Sequence, residues 1–266
     1  MDRMIFIAGQ GHSGSTLLDM LLSSGGRAVS LGEIMTVVKR RGEKIYAGRC
    51  SCGVNAVDCD FWKPVLAEFE ARGEAATVAE KYRLILGRVD EQFGPKMHVV
   101  DSSKNFRSLK TVEEFADFEI KPIHLVRDVR SFSVSMMDKS IKRHGKIRAL
   151  EPEKLFLNWY RHNRIIEAHL EAVERYRNFR VVYEELALST NTIVQRINEY
   201  LGDGYADLNG RFNSHIISGN RMKNKIGAPG DIHYDFRWFS RSEWIRPFTL
   251  MPFVRRYNQR IYKENW

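Results

Sequence analysis

Arg3-Met4-Ile5-Phe6-Ile7-Ala8-Gly9-Gln10-Gly11-His12-Ser13-Gly14-Ser15-Thr16-Leu17-Leu18 is the stretch that decides the fold of this 266-residue chain. Residues 3–8 form a short, largely apolar run, which reads as a buried strand, and the apolar helix formers from Thr16 to Leu22 read as a helix. A strand, a glycine turn and a helix in that order make a phosphate-binding loop. Successive backbone N–H groups and the positive end of the helix point at one spot, which favours an anion without any metal. A full GxxxxGK[ST] loop carries a lysine that reaches the β- and γ-phosphates of a nucleoside triphosphate, and Ser15 stands where that lysine would be. The loop therefore predicts a nucleotide cradle rather than a triphosphatase.

Outward from the loop, strands and helices alternate. Ala28 to Glu33 is a short extended piece ending in an acid, and a helix follows from Ile34 towards Arg40-Arg41-Gly42. Helices are expected near Phe61 to Arg72 and from Val78 to Phe93. Met97-His98-Val99-Val100 reads as a strand that delivers Asp101-Ser102-Ser103-Lys104 at its end. Pro122 to Val126 delivers Arg127-Asp128, and Phe179 to Tyr183 delivers Glu184-Glu185. Further helices are expected over Ser131–Met137, Lys154–Tyr176 and about Leu250–Tyr262, while Ser214 to Asp235 has no clear period and reads as a long loop. Brief strands unbroken by polar residues argue for a parallel sheet covered on both faces. The fold class is α/β, a P-loop-like three-layer fold with a central parallel sheet of about four to five strands flanked by helices. The expected organisation is a single domain over 1–266, with residues 210–240 as a lid or ligand-binding segment. In such a sheet, functional residues gather beyond the carboxyl ends of the strands.

A formal net charge of +9 implies anionic partners. The basic residues are not gathered into one run and the aromatics follow no ribonucleoprotein pattern, so a small anionic ligand with a basic entrance is preferred over nucleic acid. No apolar run approaches a membrane span and no cleavage site follows the first strand, so the expected setting is the cytoplasm. Cys50, Cys52 and Cys59 cluster within one short segment. A zinc site, a local disulfide and simple packing in a small loop are all compatible with that spacing. Zinc usually needs four ligands, and no histidine lies among these cysteines or close beside them, so the loop or disulfide reading is preferred. His124 reads as core, and His215 and His233 have no recognisable ligand spacing.

Several motifs converge on one family. His12-Ser13-Gly14-Ser15-Thr16-Leu17-Leu18 resembles the 5′-phosphosulfate loop of sulfotransferases that use 3′-phosphoadenosine-5′-phosphosulfate (PAPS). Arg127-Asp128-Val129-Arg130 with Ser135, at a spacing of eight, resembles their 3′-phosphate motif. Tyr183-Glu184-Glu185-Leu186 is similar to the family's Tyr-Glu-Asp-Leu element, and Gly219-Asn220 with Arg221 and Lys223 is similar to its late basic loop. Asp101 to Lys104 and the cysteine segment running into Phe61-Trp62 resemble bacterial and tyrosyl-protein members. The resemblance implies PAPS as co-substrate, 3′,5′-adenosine bisphosphate as product and a small-molecule hydroxyl acceptor; because the transferred group carries less charge than a γ-phosphoryl, no metal is expected.

On that resemblance, Gly11, Ser13, Gly14, Ser15, Thr16, Arg127, Ser135, Tyr183, Gly219, Asn220, Arg221 and Lys223 bind the co-substrate, and Glu33, His12 and Lys104 are catalytic. Glu33 is the candidate base, since several subfamilies carry a catalytic glutamate in the corresponding stretch; capping the next helix is its other reading. Lys104 resembles a lysine that contacts the sulfuryl group in tyrosyl-protein members; a solvated lysine at a helix start is its other reading. Arg127 offers a bidentate fork suited to phosphate, and a structural ion pair with Asp128 or a neighbour is its alternative. Tyr183 packs near the adenine or in the core. His12 is the departure, because the family usually has lysine or arginine there. Three readings follow: as imidazolium His12 is a general acid for the leaving oxygen in a pH-dependent way, Lys104 supplies the charge instead, or the enzyme is weakened. Tyr234, Phe236, Trp238, Phe239 and Trp244 either wall an acceptor pocket or pack a lid. The competing functions are a P-loop kinase-like phosphotransferase, opposed by Ser15, and a non-catalytic nucleotide or nucleic-acid binder.

Overall fold

The computed structural model describes residues 3–39, 48–148, 150–219 and 232–263. Asn220, Arg221 and Lys223 lie outside the described residues. Among the described residues, five strands, β1 (Arg3–Gly9), β2 (Ala28–Ser30), β3 (His98–Lys104), β4 (Glu119–Val126) and β5 (Arg180–Val182), form one sheet in the order β2-β3-β1-β4-β5. Every pairing is parallel. In β1 the pleat divides an apolar run between two cores. Met4, Phe6 and Ala8 enter one cluster with α2 (Ile34–Lys39), α3 (Trp62–Arg72), α4 (Val78–Phe93) and α5 (Phe106–Phe115). Ile5 and Ile7 enter another with α1 (Ser15–Leu22) and α9 (Thr190–Leu201). Both faces are covered, which is why the strand carries no polar alternation.

A third cluster joins α6 (Val129–His144), α7 (Glu151–Ala172) and α11 (Pro252–Lys263) around Phe156, Trp159 and Tyr257. The strand expected from Met97 to Val100 is longer than its apolar run suggests. β3 continues through Asp101 to Lys104, because Tyr82 donates to Asp101 at 2.7 Å and Ser102 donates to Asp19 at 2.6 Å, giving its buried polar groups partners. Tyr183 is not the end of β5 but the first residue of a short helix, α8 (Tyr183–Leu188). The terminal helical stretch is divided at Pro252 into α10 (Ile245–Leu250) and α11, as expected for a residue that cannot continue a helix ladder.

No helix among the described residues is long and apolar enough to cross a membrane. At the cysteine loop all three thiols are free, so the disulfide alternative does not hold, and His215 reaches the loop from across the chain.

Candidate active site

β1 lies between β3 and β4, and the chain turns from one side of the sheet to the other around it. Its carboxyl end is therefore the switch point at which open α/β sheets bind ligands. There Gly14 precedes α1 with φ of 91°, and no side chain caps the helix. A Cβ on Gly14 would meet the Tyr183 ring at 2.5 Å, so both the left-handed backbone and the ring above it require glycine. The first-turn N–H groups of α1 thus head a cleft of about 780 Å³, a volume typical of small-ligand sites.

The cleft is lined by Gly11, His12, Gly14, Ser15, Thr16, Glu33, Lys104, Arg127, Ser135, Tyr183 and Gly219. Ser13 does not line it; its hydroxyl donates to the Gln10 carbonyl at 2.5 Å. Apart from Ser13, the residues predicted for the site and lying within the described part of the chain converge at one place. The aromatic stretch does not line it. Trp238 stacks on Phe239 at 4.0 Å and packs over Arg130 at 4.2 Å, while Phe236 and Phe239 face outward. Trp238 and Trp244 pack over Arg130 of α6, and Tyr234 packs beside Tyr183.

Glu33 and Lys104 form an ion pair, and Thr36 donates to the other Glu33 oxygen at 3.1 Å. Lys104 sits at φ of 69°, a left-handed conformation unusual for a residue with a side chain. Gly32 sets the height of Glu33. A Cβ there would meet both Ile216 and the Ser218 carbonyl at 2.6 Å, and the Glu33 N–H donates to that carbonyl at 3.2 Å.

Arg127 is nearly buried, yet its partner is not Asp128. Its Nε donates to Ser131 at 2.8 Å, one terminal nitrogen to the His12 carbonyl at 2.9 Å, and the other to Asp235 at 2.8 Å. Asp128 instead caps α6 and holds Arg130. The turn after β4 is fixed from behind, because Trp159 donates to the Arg127 carbonyl and Asn258 bridges Asp128 and the Val129 N–H. Glu184 also belongs to this support. It accepts from Tyr262 at 2.6 Å, and burial first and then Asp128 raise its pKa to about 7. Within Tyr183-Glu184-Glu185-Leu186, only Tyr183 reaches the cleft. Its ring lies 4.4 Å from the Arg127 guanidinium, and its hydroxyl accepts from the Asp235 N–H at 3.1 Å.

His12 adopts φ of 69° and shares a 2.9 Å hydrogen bond through Nδ1 with Ser135. Burial first, then the positive charges of Lys139, Arg127, Lys104 and Arg237, lower its pKa to about 4. The imidazole is thus neutral near pH 7 unless an anion joins it. Lys139, His162, His233, Asp235 and Arg237 also line the cleft and were not foreseen. Lys139 had a signal, lying four residues after Ser135 on the same helix face. His162 meets the Gly9 carbonyl at 2.9 Å from α7, a contact that no local pattern announces.

A sulfotransferase family model matches residues 4–207. The chain belongs to the sulfotransferase family. Solved structures with the same fold include the sulfotransferase domain of a Synechococcus olefin synthase, 17% identical over 94% of each chain, with a TM-score of 0.51. The sulfotransferase domain from the curacin biosynthetic pathway is 16% identical over 95% of this chain and 98% of its own, with a TM-score of 0.52. A sulfotransferase from Mycobacterium tuberculosis is 13% identical over 92% and 75%, with a TM-score of 0.50. No curated protein sequence matches the chain significantly. At these identities the structural likeness speaks for the fold, and the family match carries the transferase assignment.

Proposed function

We propose that this sulfotransferase is a single catalytic domain that moves a sulfuryl group from PAPS to the hydroxyl of a small molecule. One observation carries the reading: the Glu33–Lys104 ion pair opens onto the same cleft as an uncapped helix terminus and the Arg127 fork. The α1 terminus, with Gly11, Ser13, Gly14, Ser15 and Thr16, suits the 5′-phosphosulfate. Arg127 and Ser135, joined by Lys139, suit the 3′-phosphate. Tyr183 and the segment from Gly219 onward, including Asn220, Arg221 and Lys223, complete the grip.

In the reaction the acceptor oxygen attacks sulfur and the bond between sulfur and the bridging phosphate oxygen breaks. The acceptor proton passes to Glu33, and 3′,5′-adenosine bisphosphate leaves with the bond's electron pair. Lys104 exchanges Glu33 for the developing negative charge, which frees the carboxylate to act as base. This supports Lys104 as the permanent cation that position 12 lacks, with His12 acting once an anion has raised its pKa. The three unpaired thiols fit a reducing, cytoplasmic setting.

Sulfuryl transfer from labelled PAPS to a panel of phenols, sugars and other alcohols tests the activity, and thermal shift tests the ligand. The bisphosphate at about 100 times its dissociation constant should add ~2.7 kcal/mol. Stabilisation by ATP with magnesium, and none by the bisphosphate, would refute the proposal in favour of a kinase-like phosphotransferase.

A further inference from the structure

Outside the cleft, one cluster of side chains has the chemistry of a site. Cys50, Cys52 and Cys59 lie on the loop before α3, and His215 comes from the segment that returns beside β2. Their ligand atoms all lie within 4.8 Å of one another. The Cys59 sulfur is 3.6 Å from those of Cys50 and Cys52, and His215 Nδ1 is 3.3 Å from Cys59 and 4.0 Å from Cys50.

These are the edges of a small tetrahedron. Four ligands around zinc at ~2.3 Å for sulfur and ~2.0–2.1 Å for nitrogen stand about 3.8 Å apart between sulfurs and about 3.6 Å between sulfur and nitrogen. A disulfide needs sulfurs at ~2.05 Å, and simple apolar packing has no reason to gather three thiols and an imidazole nitrogen at one point. The surroundings are also built for thiolates: the backbone N–H groups of Phe61 and Trp62 bond to the Cys59 sulfur, and that of Cys52 to the Cys50 sulfur. Trp62 donates to the His215 carbonyl and Phe61 stacks on the imidazole, so the ring is oriented from two sides.

We propose that Cys50, Cys52, Cys59 and His215 bind one tetrahedral Zn²⁺ ion. Binding displaces the three thiol protons and leaves three thiolates and a neutral imidazole on the metal. All four zinc positions are filled by protein, so the site is structural. It fastens the cysteine loop to the segment through Ser218, where Ser51 already bonds to Ser214 at 3.0 Å and to the Ile216 N–H at 2.8 Å. That segment carries the Ser218 carbonyl beneath the Glu33 N–H and runs into Gly219 at the cleft. The metal therefore anchors the start of the late loop beside the candidate base. Cys52 is exposed and offers the route by which metal and chelators enter.

Metal analysis by mass spectrometry of the full chain, purified from zinc-supplemented culture, tests the proposal. About one zinc per chain is expected, and substitution by Co²⁺ should give the visible bands of a tetrahedral thiolate centre. Cys52→Ser, at an exposed position, should keep the fold and weaken zinc affinity at least about tenfold. Ser51→Ala, which removes two neighbouring hydrogen bonds but no ligand, should keep full zinc content. A wild-type chain with less than about 0.1 zinc, a disulfide between any two of the cysteines, or unchanged zinc affinity in Cys52→Ser would overturn it. The readout is metal content, so the result stands apart from whether PAPS is the donor.

Discussion

The state of His12 gives the sharpest test of the cleft. With no ligand, burial and four surrounding cations lower its pKa to about 4. An anion bound against α1 offsets those cations and raises the pKa towards ~6.5, the ordinary value for histidine. Because the complex then holds the proton more tightly than the free protein, binding takes up a proton between these two values, and affinity rises as pH falls. If the pKa recovers fully, uptake at pH 6 is about 0.75 proton and affinity rises about twentyfold from pH 7 to pH 5. His12 is partly open to water, and halving the recovery for screening leaves about 2.5-fold. Calorimetric titration of 3′,5′-adenosine bisphosphate in buffers of different ionisation enthalpy counts the proton directly. The phosphates of the ligand also titrate in this range, so the decisive quantity is the difference between wild type and His12→Gln. Equal proton uptake in the two proteins would refute the reasoning and remove His12 from the anion site.

Glu33→Gln should lower turnover at least about 100-fold while bisphosphate affinity changes less than about threefold, since the base acts on the acceptor; steady-state kinetics beside calorimetry read both. Arg127→Lys keeps the charge but loses the fork on Ser131, His12 and Asp235, and should weaken bisphosphate binding by about 10- to 100-fold. Gly14→Ala forces a Cβ into the Tyr183 ring at positive φ and should cost about 2–3 kcal/mol in urea unfolding. For Asp19, burial raises the carboxyl pKa from 3.8 to about 7, so the native state binds more protons than the unfolded state across that window and stability falls as pH rises through it. Asp19→Asn should remove about 1–4 kcal/mol of that decline between pH 4.5 and pH 8 in denaturant titrations.

What the sequence revealed was whatever the chain writes locally. The β1 loop, the Arg127–Ser135 spacing and the apolar strands are patterns within a few residues, and each found its element. Two helices went unforeseen despite a readable period: Phe106, Leu109 and Val112 on α5, and Ile193, Ile197 and Leu201 on α9, repeat at three or four residues and are buried or packed on the core. Asp235 and Arg237 had no such signal, because their role comes from contacts with Arg127 and with Asp138 on α6, which are 108 and 99 residues away. The His215 contact with the cysteine loop had no local signal for the same reason: His215 lies 156 residues beyond Cys59, so a search for ligands near the cysteines could not reach it.

The missing loop lysine gains a physical explanation from the distribution of charge. A phosphate loop with its own lysine carries the needed cation on the turn itself. In this chain the cations come from elsewhere in the fold: Lys104 from the end of β3, Arg127 from the end of β4, Lys139 from α6 and Arg237 from the late segment. Three of them are held by carboxylates, with Glu33 on Lys104, Asp235 on Arg127, and Asp235 and Asp138 on Arg237. A nearly buried guanidinium such as Arg127 needs such a partner to offset its desolvation when no ligand is bound. An incoming phosphate, bringing about −1.5 to −2 charges, competes for the same donors. Binding is then an exchange of partners, and it releases a carboxylate wherever a cation turns to the ligand. At Arg127 the released group is Asp235, on the segment whose backbone also bonds to Tyr183. At Lys104 it is Glu33, the proposed base. The arrangement that replaces the loop lysine is therefore also the one that would ready the base.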